Sequence, residues 1–321
     1  MYRFLSVLLL VPLLNAHAAL QPMDDEELGD QVGQAFIQFD RTENVGGLDF
    51  TKITFGLNVE TSLNADLVDL GNYSRNGQAG SDIRINDFAL GSVNDDGSIN
   101  PFNITDPFLE VAFDEDQSGR QNVVGVRFGF SGAQGSLSGN IESLTGNIEV
   151  DVVGSASPIY DEANFFQQGL LFLAGVSRNT RLRADAVLVD GSGNPTNVRA
   201  SSVGVANGET LQCESGCNLG RLSDFLLGLF GSNNCAVLGL STCFDLGNFN
   251  TLQIGSDNAP AEGLFVSFQS QPITWIDGNT STRTVSGAYV NIPNGGIVVD
   301  FEQSFNGIPR VRTKLLDPYF D

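Results

Sequence analysis

Residues 123–153, VVGVRFGFSGAQGSLSGNIESLTGNIEVDVV, constrain the fold more than any other stretch. Val124, Val126, Phe128 and Phe130 alternate with Gly125, Arg127 and Gly129. Successive side chains leave a strand on opposite sides, so this period of two marks a β-strand with one buried face. The valines and phenylalanines are expected on that buried face. Farther on, LSGNIES (137–143) runs directly into LTGNIEV (144–150). The Gly-Asn pair in each heptad is expected to punctuate short strands, because both residues tolerate positive φ. The reading is a sheet of short strands and tight turns. The heptad pair favours stacked strands, although two copies fall short of a solenoid.

Other stretches carry the same signal. Residues 34–40, 50–61, 63–70, 107–113 and 181–189 read as strands, as do a run from Ile83, late runs at 264–268, 273–275, 288–290 and 296–301, and residues 310–315. Within 50–61, Thr51, Ile53 and Phe55 share one parity and Lys52, Thr54 and Gly56 the other. Residues 71–82 read as a polar, Gly-rich loop, and Asn94-Asp95-Asp96-Gly97 as a turn. In the apolar stretch 164–176, NFFQQGLLFLAGV, two glycines favour a buried strand over a short helix. Asp24 can cap a short helix with an acidic first turn, a solvated acidic segment being the alternative. Residues 219–231, LGRLSDFLLGLFG, are the best helix candidate, with Ser223 or Asp224 as cap.

The expected fold is mainly β. It is a large β-sandwich, or a short stacked, solenoid-like sheet body, with a small disulfide-stapled helical insertion. No Pro/Ser-rich linker divides the chain, so residues 19–321 read as one β-rich domain with a Cys-containing insertion at about 207–247.

Residues 1–18 read as a secretory signal peptide. Arg3 supplies the positive start, an apolar run follows at 4–14, and Ala16-His17-Ala18 fits small-x-small cleavage. The apolar run is about half of the roughly 20 residues a spanning helix needs. Cleavage would remove His17, the only histidine, and with it His-based triads and His metal sites. It would also take the net charge from −22 to about −23. Such an acidic chain repels phosphate backbones and anionic lipid, which argues against nucleic-acid partners.

Cys213, Cys217, Cys235 and Cys243 lie within one 31-residue window. In an oxidising compartment two local disulfides are the default, and nearness favours Cys213–Cys217 with Cys235–Cys243. The spacings suit a zinc site poorly.

Asp114, Asp116 and Ser118, followed by Gly119, resemble the first half of a calcium loop and are the metal candidates. The twelfth position is Gly125 rather than Glu, which favours a solvated hairpin turn. Asp190, Ser192 and Asn194 invite the same comparison. Enzyme signatures are missing: Gly135-Ser-Leu-Ser-Gly139 puts Leu137 where a nucleophile elbow needs serine, and there is no P-loop. The 23 phenylalanines, against one tryptophan and five tyrosines, suit a Phe-rich core, a Phe-lined groove for an apolar ligand, or an outer-membrane barrel.

Several stretches resemble a loosely defined group of exported Gram-negative envelope proteins without assigned chemistry. They are residues 20–34, with LQPMDDEEL and Val32-Gly-Gln34, residues 126–135 (VRFGFSGAQG), the heptad pair, and residues 291–296 (NIPNGG). The first is similar to an element that follows the signal in pilus-system or FilA-like proteins. The resemblance implies a cell-envelope or surface role and names no functional residue. The expected function is thus an exported structural or interaction protein without catalytic activity. It would meet an envelope or surface protein in the periplasm, at the outer membrane or outside the cell. An apolar-ligand binder and an outer-membrane β-barrel are the alternatives.

Overall fold

The computed structural model describes residues 37–300, except 95, 218–226, 229–230, 238–239, 257–258, 279 and 293–297. The chain begins with β1 (Ile37–Val45) and β2 (Leu48–Phe55), then β3 (Asn58–Thr61) and β4 (Leu63–Leu70). A short hairpin, β5 (Tyr73–Arg75) and β6 (Gln78–Gly80), precedes β7 (Ile83–Leu90). A second, β8 (Ser92–Val93) and β9 (Ile99–Asn100), leads into β10 (Phe102–Glu115) and β11 (Gln121–Leu144). Then come β12 (Gly146–Ser155), helices α1 (Ser157–Glu162) and α2 (Phe165–Leu173), β13 (Arg181–Val189), β14 (Ser202–Gly204) and β15 (Gln212–Ser215). The short strands β16 (Ala236–Val237), β17 (Leu240–Ser241) and β18 (Cys243–Asp245) follow, then β19 (Thr251–Ile254) and β20 (Phe265–Gln269). The last are β21 (Thr274–Asp277), β22 (Thr280–Arg283), β23 (Gly287–Ile292) and β24 (Val298–Asp300).

Two strands hold this list together. The first half of β11 pairs with β10 and β20, and its second half with β7 and β19. Strand β12 starts parallel to β23 and continues antiparallel to β13. The sheet path β1-β2-β10-β11-β20-β23-β12-β13-β14-β18 is therefore continuous, and among the described residues it stays open. The main core draws Ile83, Ile85 and Ile141 from β7 and β11, and Val150, Val152, Leu182 and Ala184 from β12 and β13. A smaller core gathers Leu48 and Phe50 of β2, Ala112 of β10, Phe265 of β20 and Tyr289 of β23 with Trp275 of β21 and the neighbouring Ile273. The mainly-β reading holds.

Several local expectations are corrected. The two heptads do not stack. They lie end to end in β11 and β12, where Ile141 pairs Ile85 and Ile148 pairs Ile292. Their Gly-Asn pairs make no turns. Glycine is needed there for close approach: a Cβ on Gly139 would sit 2.5 Å from Ile85 Cγ2, and one on Gly146 2.2 Å from the Val290 carbonyl oxygen. Residues 50–61 break into β2 and β3.

Residues 164–176 form helix α2 rather than a strand. Asn164 accepts the Gln167 backbone N–H at 3.0 Å and the Gln167 side chain accepts the Asn164 N–H at 2.8 Å. This capping box satisfies two orphan donors and outweighs the helix cost of Gly169.

Residues 71–82 hold the β5–β6 hairpin rather than a free loop. Fully buried Asp82 fixes it, accepting Arg199 Nε at 3.0 Å, Arg75 Nη2 at 3.2 Å and the Ala288 N–H at 3.0 Å. Removing a buried carboxylate from two guanidinium groups would leave both charges short of partners.

The disulfides pair as nearness suggested, Cys213–Cys217 and Cys235–Cys243. They point to an oxidising, non-cytoplasmic compartment. No helix among the described residues is long and apolar enough to cross a membrane. The signal peptide, the Asp24 helix, most of the 219–231 helix and the 310–315 strand lie outside the described residues.

Two glycine substitutions separate these effects. Gly146→Ala should cost about 1–3 kcal/mol, because its new methyl meets backbone that must shift. Gly169→Ala, in α2 with nothing near its Cβ, should stabilise by up to about 1 kcal/mol. Urea unfolding midpoints of the two variants check both signs.

Candidate functional site

Strands β2, β10, β11, β20 and β23 pair in a register that sorts their side chains onto two faces. Lys52, Glu110, Arg127, Ser267 and Tyr289 form one cross-strand row. Phe39, Ile53, Leu109, Phe128, Val266 and Val290 form the neighbouring row, on the opposite face.

The first row is buried except at Lys52, which is half-buried. Arg127 has 0% exposure. Its Nε donates to Glu110, its Nη1 to Asp277 Oδ2 at 2.6 Å, and its Nη2 to Asp277 Oδ1 at 2.9 Å and the Ile276 carbonyl at 3.0 Å. Rings of Phe108, Phe265 and Trp275 each lie 5.1 Å from the guanidinium, a cation–π setting strengthened by desolvation. Lys52 Nζ sits 3.4 Å from Asp277 Oδ1 and 3.8 Å from the centre of the Phe108 ring. Trp275 and Asp277 both belong to β21, so the ion cluster holds the β21–β22 hairpin onto this face. The small residues beside Arg127 make room. A Cβ on Gly129 would lie 2.3 Å from the Phe108 ring, and one on Gly125 2.4 Å from Ile273 Cδ1.

Environment separates the two carboxylates. Burial pushes the Glu110 carboxyl up, and the Arg127 charge and hydrogen bond only partly offset this. Burial also pushes Asp277 up, but the hydrogen bonds and charges of Arg127 and Lys52 outweigh it and leave Asp277 below its ordinary value. Burial alone raises Tyr289, in the same row, to about 12.

A cleft of about 670 Å³ opens beside the hairpin. Its walls include Lys52, Phe108, Ser131, Asn147, Asp277, Thr280, Thr282 and Asn291. Asn147 Nδ2 donates to Asn291 Oδ1 at 3.3 Å, and Asn291 Nδ2 to the Gly263 carbonyl at 2.8 Å. The second heptad, through Asn147, and Asn291 therefore meet at this cleft. A second space, bounded by Ile148, Val150, Phe249 and Leu252 among others, is apolar but only about 10 Å³, too small for a ligand.

The opposite face reverses the expectation from alternation. Arg127 is buried, whereas Phe128 is 50% exposed and Phe39 on β1 is 70% exposed. A parallel row carries Arg41, Thr51, Val111, Val126 and Phe268. Val266 and Val290 reach the main core, so the open part of this face spans β1, β2, β10, β11 and the near side of β20. Sequence gave the apolar parity but not what covers it. Helix α2 is a second apolar exposure that sequence reasoning missed: Phe165, Phe166, Phe172 and Leu173 are all exposed, while Leu171 is buried.

Of the metal candidates, the structure brings Asp116 and Ser118 into contact. Asp114 sits in β10 opposite Asn122, and Asp116 and Ser118 occupy the following turn. Asp116 accepts the Ser118 hydroxyl, the Ser118 N–H at 2.9 Å and the Arg120 N–H at 3.1 Å, and lies 3.3 Å from Arg120 Nε. The Ser118 hydroxyl, with the two backbone N–H groups, holds its carboxyl down at about 2. Asp190 caps its own turn in the same way, accepting the Ser192 and Asn194 N–H groups at 2.8 and 3.0 Å. Among the described residues no three His, Cys, Asp or Glu side chains are grouped to hold a metal ion. The cysteines are all in disulfides.

Removing Arg127 strands Glu110 inside the sheet. Arg127→Met should therefore cost about 3–5 kcal/mol, and Arg127→Met with Glu110→Met should cost less, since no carboxylate is then buried alone. Equal losses in chemical denaturation would contradict this account. Tyr289 sets an alkaline limit. Its folded value lies above its ordinary 10, so its contribution is intact below pH 10 and is lost as pH rises toward 12. The loss should be about 2–3 kcal/mol and should vanish in Tyr289→Phe, as read by thermal melts across that window.

No protein-family model, curated protein or solved structure matches the chain.

Proposed function

We propose that the chain is an exported structural or interaction protein of the cell envelope or surface, working by contact rather than catalysis. The observation that carries this reading is the apolar sheet face with Phe128 near its centre and Phe39 on its edge strand. Soluble chains seldom leave contiguous apolar surface open unless something docks there. Two further points support it. Of the ionisable groups lining the cleft, Lys52 and Asp277 are engaged with each other and Asp277 also with Arg127, which leaves that pair poorly placed for proton transfer, while Glu262 is exposed at the rim. The disulfides suit an exported location.

A photo-crosslinking phenylalanine analogue in place of Phe128, in the producing cell, tests the reading. Illumination should yield an adduct of discrete mass from the envelope or medium. A lipid adduct would instead favour an apolar-ligand role, and the absence of any adduct would remove the interaction reading.

A further inference from the structure

We infer that the outer face of the β1–β2–β10–β11–β20 sheet is a homodimer interface, on which a second copy stacks its own sheet face. The inference rests on the interaction reading above and names the partner.

The register makes the face continuous. Phe39, Ile53, Leu109 and Phe128 are consecutive cross-strand neighbours, and Val111 and Phe268 extend the apolar surface in the next row. None of these six is charged. Such a row lowers its free energy only by being covered, because apolar surface in water is unfavourable in proportion to its area.

Size is compatible with a weak dimer. Five strands about 4.8 Å apart, with about six residues of each at 3.3 Å, give a footprint of roughly 500 Å². Doubled across two copies this is roughly 1,000 Å², at the lower edge of specific interfaces, so the association should be reversible.

Charge disfavours a membrane as the occupant. With 38 acidic against 16 basic residues the chain is repelled by anionic membranes, and interfacial anchoring relies on basic residues. A pleated face whose centre is uncharged, with Arg41 and Asp49 toward its β1–β2 end, suits another of the same kind, since two right-twisted sheets stack with their strands about 30° apart. At the β1 rim, Arg41 and Glu43 are both exposed and pair with each other, so a copy meets both signs there rather than a single sign. A two-fold axis makes the contact self-complementary.

The net charge of −22 works against association at long range, where salt screens it, whereas the face itself is neutral. Added salt should therefore tighten the dimer, opposite to an interface built on ion pairs.

Sedimentation equilibrium of the full secreted chain tests this. A reversible dimer should appear with a dissociation constant of about 10–100 μM, at least several-fold tighter at about 0.5 M than at about 0.02 M salt. Phe128→Asp and Phe39→Asp should each weaken it at least tenfold while keeping the wild-type circular dichroism. Phe165→Asp, a still more open phenylalanine on α2, should leave it unchanged. A monomer at about 200 μM in both salts would overturn the inference, as would a dimer that tolerates both sheet variants or responds only to Phe165→Asp. A monomer that still gives a Phe128 adduct with a different protein would remove the dimer and keep the interaction reading. A monomer with no adduct would remove both.

Discussion

The Arg127 guanidinium decides which side of the sheet is inside. Its donors reach Glu110 on β10, and both Asp277 and a carbonyl on β21, so one side chain ties two sheet strands to the covering hairpin. A buried cation is costly unless its donors are met, and the acceptors here come from the adjacent strand β10 and from β21, far along the chain. The hairpin also carries Trp275, which packs edge-to-face on Phe50 at 5.5 Å. Electrostatic and apolar contributions thus close the same face. Lys52 balances the second carboxylate, so the cluster has two cations and two anions.

Alternation around Arg127 was legible as a strand, but its polarity was not. Period two says that two faces differ; it does not say which of them finds a partner inside the chain. Valine and phenylalanine looked like the interior, and a Gly-Arg-Gly parity looked like solvent. The local signal pointing the other way was the pair of glycines, whose missing side chains leave space for the Phe108 ring and Ile273. A cation flanked by two glycines on a strand is a better sign of a packed, paired charge than of exposure. The disulfides were legible because short loops bring near cysteines together. Helix α2 was legible in Asn164 and Gln167, the two ends of a capping box, but the glycines were weighed above them. The Asp82 cluster was not legible, because Arg75, Arg199 and Ala288 converge on it from three separate parts of the chain.

Charge distribution explains how an apolar face is tolerated in an acidic chain. A net charge of −22 keeps copies apart at low salt and opposes disordered aggregation. The same repulsion limits any ordered contact to surfaces that bury apolar area without bringing charges together. The outer rows meet that condition across β2, β10 and β11. Strand β1, at the edge of the sheet among the described residues, carries Asp40, Arg41 and Glu43, charges that discourage uncontrolled strand addition.

Two apolar surfaces are open, and they are not equivalent as docking platforms. The phenylalanines of α2 project from a nine-residue helix, with Phe165 at 93% exposure, so their rotamers are free before binding and would be fixed by it. The phenylalanines of the sheet stand on hydrogen-bonded strands whose reverse side is locked by the Arg127 cluster. Strand β11 continues beyond the sheet into the main core, through Ile141 and Leu144. A surface held on its reverse side and anchored along its length gives up less freedom on association, and that preorganisation favours the sheet face.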